Sequence, residues 1–431
     1  MLSESEKLNG LMELGIKLNQ VQDLDILMEQ LLKEARRFVN ADAGSIYIRK
    51  REQLHFTYTQ NDTLQQRLEN GNKLIYSTFS VPVNPETIAG YVATEGRVLN
   101  ISDVYQIPPT ASYGFGEEFD QKVGYRTKSM LTVPLKSAND DILGVLQIIN
   151  AQNESKEAIP FSEQDEKMMM MFAGIASVAL ERAQMTRALL LRMIQMAEMR
   201  DPEETGPHVN RVGSYSIEIF EKWGLKHGLS AEEIDKKRDI LRMAAMLHDV
   251  GKVAVSDKIL KKRGQLTEEE YETMKRHTVR GARLFLDKSS DFGEMVSEMN
   301  HYHSDFDAMA AQVALNHHEK WNGRGYPGHV DIATGLPLKD CALPGYPQKA
   351  VGKKEEEIPL VGRIVALADV YDALSTKRSY KEAWDEKRVL ATIEKEAGTH
   401  FDPELVEIFF SCLPIIRAIQ QRYKEPEMPS E

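Results

Sequence analysis

Cysteine is nearly absent. Cys341 and Cys412 are the only two in 431 residues. That excludes a disulfide scaffold and a cysteine-rich zinc site, and it fits a reducing compartment. No run of about 18 apolar residues occurs, so no transmembrane helix is expected. The opening Met1-Leu-Ser-Glu-Ser-Glu-Lys7 has neither the basic segment nor the apolar core of a secretory signal. The expectation is a cytoplasmic protein without membrane contact. No long basic block offsets the net charge of −12, which argues against a nucleic-acid polymer as partner. A small anionic substrate stays open if local cations receive it.

What is present is ordinary for a globular protein: 42% apolar and 28% charged residues. The length predicts two or three domains. Residues 1–40 read as helix, continued after Asp23. Ser45-Ile-Tyr-Ile-Arg49 and Gln53-Leu-His-Phe-Thr-Tyr-Thr59 alternate with period two and predict strands. A turn is expected at 61–63, a short helix over 87–96 ended by Gly96, and strands over 98–101, 129–136 and 142–150. From Ser162, an N-cap candidate, the period turns helical and stays so past Met199. Phe172, Ile175, Ala179, Leu189, Met193 and Met196 fit a three-four spacing that Arg182 and Thr186 interrupt. The preferred reading is a helical linker between two protomers, against a helix packed on its own domain. Met168 to Met171 read as core packing.

Beyond Leu189 nearly everything reads as helix, with a break over 200–207. Helices are expected from His208, over 239–250, after the cap Thr267-Glu-Glu-Glu270, from near Ala310 to Glu319, over 358–374, over 387–396 and over 403–413. Asn322-Gly-Arg-Gly-Tyr-Pro-Gly328 reads as a loop. The stretch Met243-Ala-Ala-Met-Leu-His-Asp-Val-Gly-Lys252 carries an apolar run to an adjacent His248 and Asp249, a nitrogen and an oxygen ligand on one turn. Further ligand-type residues are Glu204, His208, His277, His317, His318 and Asp369. Any one histidine alone reads as a satisfied core residue. Together, imidazoles and carboxylates suit iron, manganese or zinc better than magnesium or calcium. Eight ligands exceed one octahedral ion, so two or three ions bridged by Asp249 are expected. Such ions lower the pKa of a water and clamp a phosphodiester.

Two resemblances organise these observations. Residues 20–183 resemble the GAF family through Ala41-Asp-Ala-Gly-Ser-Ile-Tyr-Ile48, Ile88-Ala-Gly-Tyr-Val92, Ser129-Met-Leu-Thr-Val-Pro-Leu135 and Gly144-Val-Leu-Gln-Ile148. This implies an α+β domain, an antiparallel sheet flanked by helices. Asn150, Phe161, Asp165 and Glu166 loosely match the pattern of cyclic-nucleotide-binding members, but Ala151 stands where they carry Lys. His55, the only histidine there, is expected half-buried on a strand. The GAF ligand is left unassigned.

Residues 185–425 resemble the HD-GYP branch of the HD phosphohydrolases. The matching motifs are His248-Asp-Val-Gly-Lys252, His317-His-Glu319 with Gly323 and Gly325-Tyr-Pro327, Ala368-Asp-Val-Tyr-Asp-Ala-Leu374 and Arg378-Ser-Tyr-Lys381. The resemblance implies an all-α domain that hydrolyses cyclic di-GMP to linear pGpG, GMP or both. It implies His208, His248, Asp249, His277, His317, His318 and Asp369 as metal ligands, with Glu204 as ligand to a third ion. The expected metal is iron, with manganese as the alternative. Asp249 and Lys252 are the catalytic candidates. The resemblance implies Lys252, Arg378 and Lys381 as phosphate contacts, with Gly325, Tyr326 and Pro327 lining the cleft or a docking surface. Lys252 paired with a nearby carboxylate, and Arg378 and Lys381 as a solvated face, are the plainer alternatives. Asn322 replaces the usual Asp and is expected to orient the loop equally well. Trp321 reads as a guanine platform or as core. Insertions near 287–307 and 329–357 read as lids or as surface loops, with His301 and His303 exposed.

The expected layout is therefore 1–183 GAF domain, 184–425 HD-GYP domain and 426–431 tail. A homodimer through the GAF domain and linker helix is expected, with a diguanylate cyclase or another signalling protein as candidate partner. The competing functions are a non-catalytic cyclic di-GMP receptor and a hydrolase of another cyclic dinucleotide.

Overall fold

The computed structural model describes residues 4–68, 79–198, 206–262, 264–286, 305–376 and 384–423. The chain divides into two compact units, Met1–Arg187 and Ala188–Glu431.

In the first unit Asp23 interrupts the leading helical region. Its carboxylate accepts from Asp25 N and Ile26 N and starts a new helix. The helices are therefore α1 (Glu4–Gln20) and α2 (Leu24–Phe38). Ile26, Leu27, Leu31, Leu32 and Ala35 form the buried face of α2, which packs on the strands β1 (Ala41–Lys50) and β2 (Gln53–Asn61). The expected turn at 61–63 is instead a helix start. Asn61 Oδ1 accepts from Leu64 N at 2.8 Å and caps α3 (Asp62–Gln65). Then follow β3 (Ser80–Pro82), α4 (Ile88–Glu95), β4 (Leu99–Ile101), α5 (Glu118–Val123), β5 (Met130–Lys136), β6 (Ile142–Gln152) and β7 (Ala158–Ile159). The sheet order is β3-β2-β1-β6-β5-β4, with β7 on β6, and every pairing is antiparallel.

The exit helix is α6 (Glu163–Glu198). Ser162 Oγ accepts from Asp165 N, and the Asp165 carboxylate accepts from Ser162 N, a reciprocal cap. Met168 and Met169 are buried as expected, but Met170 and Met171 are exposed. Phe172 and Ala179 face the core, and the exposed apolar row is Met171, Val178 and Met185. His55 is half-buried on β2, as expected.

The second unit is mostly helical: α7 (Gly206–Lys226), α8 (Ala231–Met246), α9 (Asp257–Leu260), α10 (Glu268–Lys275), α11 (His277–Leu286) and α12 (Asp305–Asn316). It continues with α13 (Leu360–Ser375), α14 (Glu386–Lys395), α15 (Pro403–Ser411) and α16 (Leu413–Arg422). Val212, Tyr215, Ile219, Leu241, Val313, Ile364 and Phe409 form part of its core. The described residues agree with the expected helical domain, with one small hairpin in the insertion after the Gly-Tyr-Pro loop, β8 (Ala342–Leu343) and β9 (Tyr346–Ala350). Three expectations are corrected. The helix before His248 starts earlier and stops at Met246, followed by a tight turn over Val250–Ala254. His277 opens its own helix after the α10 cap at Arg276. The last helix is two, divided at Cys412 with Pro414 in the first turn of the second, where a missing N–H is harmless.

His400 offers a titration test of this unit. Its ring stacks on Phe401 at 4.4 Å. Burial, helped by Lys320, lowers its pKa from 6.5 to about 4. An unfolded chain protonates this histidine below about pH 6.5 while the folded chain resists until about pH 4. Stability from this group is complete above 6.5 and is lost as pH falls through 4, by up to about 3 kcal/mol. Urea midpoints of wild type and His400→Gln are expected to converge as pH falls across this window. Parallel curves would show that His400 does not titrate differently in the two states.

Candidate metal centre

Each candidate histidine is delivered by the end of a helix. His208 lies in the first turn of α7, His277 opens α11, and His317 and His318 follow the last residue of α12. His248 and Asp249 lie in the turn after α8, and Asp369 is inside α13. The tight turn depends on Gly251. A Cβ there would collide with His277 O and Gly281 N, so the turn rests directly on the backbone of α11. Gly251→Ala is expected to destabilise the unit by about 1–3 kcal/mol through overpacking. A urea midpoint equal to wild type would contradict this contact.

The structure brings seven candidates together in two adjacent groups. One is Asp249, His277, His317 and His318, the other His208, His248 and Asp369; within each group the ligand atoms lie within 4.8 Å of one another. The His248 and His317 rings, one from each group, are 5.1 Å apart. Asp249 faces both groups. Its Oδ1 lies 3.0 Å from His277 Nε2 and 3.4 Å from His317 Nε2, while its Oδ2 lies 3.4 Å from His248 Nε2. Asp369 Oδ1 is 3.6 Å from His208 Nε2 and 3.9 Å from His248 Nε2.

The backbone fixes which ring nitrogen points inward. His248 Nδ1 donates to Ala245 O at 2.8 Å, His277 Nδ1 to Met274 O at 2.8 Å, and His317 Nδ1 to Val313 O and Ala314 O at 3.1 Å. A carbonyl only accepts, so Nδ1 carries the proton and Nε2 the lone pair. Burial lowers the pKa of His317, and burial followed by the neighbouring His317 and His277 holds His318 well below the ordinary imidazole value. Neutral imidazole is the metal-binding form. Burial works against ionisation of Asp249, but Lys252, His248 and His277 hold its pKa well below the usual carboxylate range. His277 Nε2, His317 Nε2 and Asp249 Oδ1 are buried without a well-formed hydrogen bond. Buried polar atoms are normally satisfied. Lone pairs aimed at shared points fit divalent ions of the transition series.

Around this centre, Lys252 Nζ lies 2.8 Å from Asp249 Oδ2. The Tyr326 ring lies 4.8 Å from that of His318, in a loop whose Tyr326–Pro327 bond is cis. A Cβ on Gly325 would strike Lys320 N and the Glu319 backbone, so only glycine admits this approach. Asn322 Oδ1 accepts from Arg324 N at 3.0 Å, the loop-orienting role expected of it. Trp321 is half-buried under the Arg363 guanidinium, 5.6 Å from the ring centre. Glu204, Arg378, Lys381, His301 and His303 lie outside the described residues.

Three supporting residues were given no role by the sequence reading. Asp372, one turn beyond Asp369, accepts from His208 Nδ1 at 2.8 Å and from Arg211 Nε and Nη2 at 2.6 and 2.9 Å. Burial raises its pKa, but those hydrogen bonds prevail and lower it. Arg211 is itself buried and also donates to Tyr423 O at 2.7 Å. The third is Glu319, whose Oε1 accepts from Gly328 N and Oε2 from Lys353 N, so one carboxylate ties both ends of the hairpin insertion. The three-residue spacing of Asp369 and Asp372 on one helix was the available signal for Asp372. Nothing local marks Arg211.

The pattern of the GAF cyclic-nucleotide sites is consumed by structure. Asn150 donates to Tyr125 Oη and Arg126 O and accepts from Lys128 N, Phe161 is buried, and Asp165 caps α6.

The antiparallel sheet unit and the helical unit with its histidine–aspartate centre each agree with a known domain family. Residues 23–180 match the GAF domain family, residues 205–374 the HD domain family, and residues 344–405 a further HD domain family. The chain thus carries a GAF domain and an HD domain. It is similar to a cyclic di-GMP phosphodiesterase of Vibrio cholerae, 35% identical over 236 residues, 55% of this chain and 41% of that protein. A cyclic di-GMP phosphodiesterase of Thermotoga maritima is 33% identical over 232 residues, 54% of this chain and 50% of that protein. A 3'3'-cGAMP-specific phosphodiesterase 2 of Vibrio cholerae is 30% identical over 254 residues, 57% of this chain and 40% of that protein. The chain spans about half the length, or less, of these relatives. Among the described residues no helix is long and apolar enough to cross a membrane.

Proposed function

We propose that the chain is a metal-dependent phosphodiesterase of the HD-GYP type that opens cyclic di-GMP to linear pGpG, GMP or both, under control of its GAF domain. The observation that carries this reading is Asp249 between two buried groups of inward-facing imidazoles. His277, His317 and His318 would hold one ion, His208, His248 and Asp369 a second, and Asp249 both. Iron is the proposed metal and manganese the alternative, since the donors are imidazole and carboxylate. Ions held there supply Lewis acidity, which acidifies water and neutralises phosphodiester charge. The chain's own cations do the rest. Lys252 can turn from Asp249 to a phosphate oxygen, and Arg378 can grip two oxygens where Lys381 supplies a point charge. The Gly325–Pro327 loop lines the cleft beside His318.

The test is to purify the protein in oxygen-free, reducing buffer, count its metals and follow cyclic di-GMP by chromatography. Linear dinucleotide or GMP with two or three metals per chain is expected. Metal-loaded protein that binds the dinucleotide and never cuts it would make it a receptor. Glu204→Ala is expected to lower the metal count by about one ion with folding retained, since one ligand of a multidentate site is lost. An unchanged count would remove Glu204 from the ligand set.

The similarity to a 3'3'-cGAMP-specific enzyme favours one second reading, a different cyclic dinucleotide. The ratio of kcat/KM for the two dinucleotides decides between them. Met171, Val178 and Met185, seven apart and exposed on α6, support a homodimer through the GAF domain and this helix. A cytoplasmic location, with a diguanylate cyclase or similar signalling protein as partner, completes the proposal.

A further inference from the structure

We infer that Tyr271, on the rim of the metal centre, stacks against a guanine base of the substrate, and that Lys275 contacts the same nucleotide. This rests on the proposed phosphodiesterase function and extends it from the phosphate to the base.

The candidate centre explains how a phosphodiester is held, but its histidines and carboxylates offer nothing that reads a base. The neighbouring aromatic rings do. The Tyr326 ring lies 4.8 Å from His318 and 6.4 Å from His277, and the Tyr271 ring lies 6.4 Å further out, edge to face with Tyr326. A line of rings therefore leads from the ligands to the surface. Tyr326 is half-buried at the inner end, and Tyr271 is 42% exposed at the outer end. Tyr271 has no core role, because α10 has no buried residue. The Lys275 ammonium sits 4.6 Å from the Tyr271 ring centre and 5.5 Å from that of Tyr326.

The platform is braced. Thr267 and Glu270 form a reciprocal cap at the start of α10. Glu272 Oε1 pairs with Lys275 and with Lys349 of β9, both at 2.9 Å, and Lys349 also reaches Glu268 at 3.2 Å. The hairpin insertion thus holds α10, and with it Tyr271, beside the Gly-Tyr-Pro loop. An exposed ring held in place beside a cation suits a purine. Its flat face stacks on tyrosine, and an ammonium group suits guanine O6 and N7. A ribose links the phosphate to its base, so a base contact belongs one sugar away from the ions, on the rim.

The experiment uses the metal-loaded full chain and two substrates, cyclic di-GMP and bis(p-nitrophenyl) phosphate, a diester without a purine. For Tyr271→Ala, the ratio of kcat/KM for cyclic di-GMP to that for the aryl diester is expected to fall about tenfold, mostly through KM. Tyr271→Phe, which keeps the ring, is expected to restore it. Inhibition of aryl diester hydrolysis by GMP is expected to weaken about tenfold in Tyr271→Ala, relative to inhibition by inorganic phosphate. Lys275→Ala is expected to lower the same ratio. If wild type cuts cyclic di-GMP and Tyr271→Ala keeps the wild-type ratio, the base contact is overturned and the phosphodiesterase reading stands. If wild type cuts only the aryl diester, the cyclic di-GMP reading falls. The GMP arm then decides alone: undiminished GMP inhibition in Tyr271→Ala overturns the contact, and weakened inhibition sustains it.

Discussion

Asp249→Ala is expected to lose cyclic di-GMP hydrolysis by about a thousandfold or more and to lose most of its bound metal. Among the described residues, Asp249 is the one whose oxygens face both histidine groups, Oδ1 toward His277 and His317 and Oδ2 toward His248. Without it each group keeps three candidate ligands among the described residues, and the negative charge that would hold two cations side by side is gone. Electrostatic stabilisation by such ions contributes several kcal/mol to a phosphodiester transition state, and each 1.36 kcal/mol is tenfold in rate. The fold should survive. Lys252, the cation left behind, is 15% exposed and can reach water, so the loss is smaller than the 3–5 kcal/mol typical of breaking a fully buried pair. Metal analysis, single-turnover hydrolysis and a urea titration check the three parts. A variant that keeps both its metal and its turnover would sink the assignment of Asp249 as the shared ligand.

The second large effect is expected at a buried residue behind His208. Asp372→Ala should destabilise the HD unit by about 3 kcal/mol, because it removes the buried carboxylate that accepts twice from the buried Arg211 guanidinium. It should also weaken metal binding at the His208 group by about 10–100-fold, since the Asp372 carboxylate fixes the tautomer and aim of His208. The two effects separate experimentally. Asp372→Asn retains the shape and an acceptor oxygen, so it should recover part of the stability while leaving the His208 ring less basic. Equal urea midpoints for Asp372→Ala and wild type would refute the stabilising role. An unchanged metal affinity would refute the positioning role.

The division between sequence and tertiary structure follows the range of the forces involved. The candidate ligands were legible in the sequence because metal chemistry restricts such donors to a few residue types. The motifs place those residues side by side, as in His248-Asp249 and His317-His318. Longer helices and strands were legible from a side-chain period or from an apolar run: α2 buries one face, whereas the central strand β6 is buried on both and reads as a nearly continuous apolar stretch. Element ends were less so. α8 stops at Met246, and His277 opens a separate helix, because the turn at Gly251 must rest on the α11 backbone, a contact between residues distant in sequence. Asn61 starts a helix where a turn was expected because its side chain reaches Leu64 N, an option it shares with ordinary turns.

What the sequence by itself determined is the inventory: two domains, a GAF resemblance, an HD resemblance and a set of imidazole and carboxylate donors. The bridging position of Asp249 was expected from the sequence, but only the tertiary structure decided which of the other donors fall together on either side of it. It also revealed the buried Asp372–Arg211 support behind His208, the tie of Glu319 to both ends of the insertion, and Tyr271 in line with Tyr326. Each of these joins groups from separate segments of the chain, and their proximity is set by how those segments pack on a shared core, which no local pattern encodes.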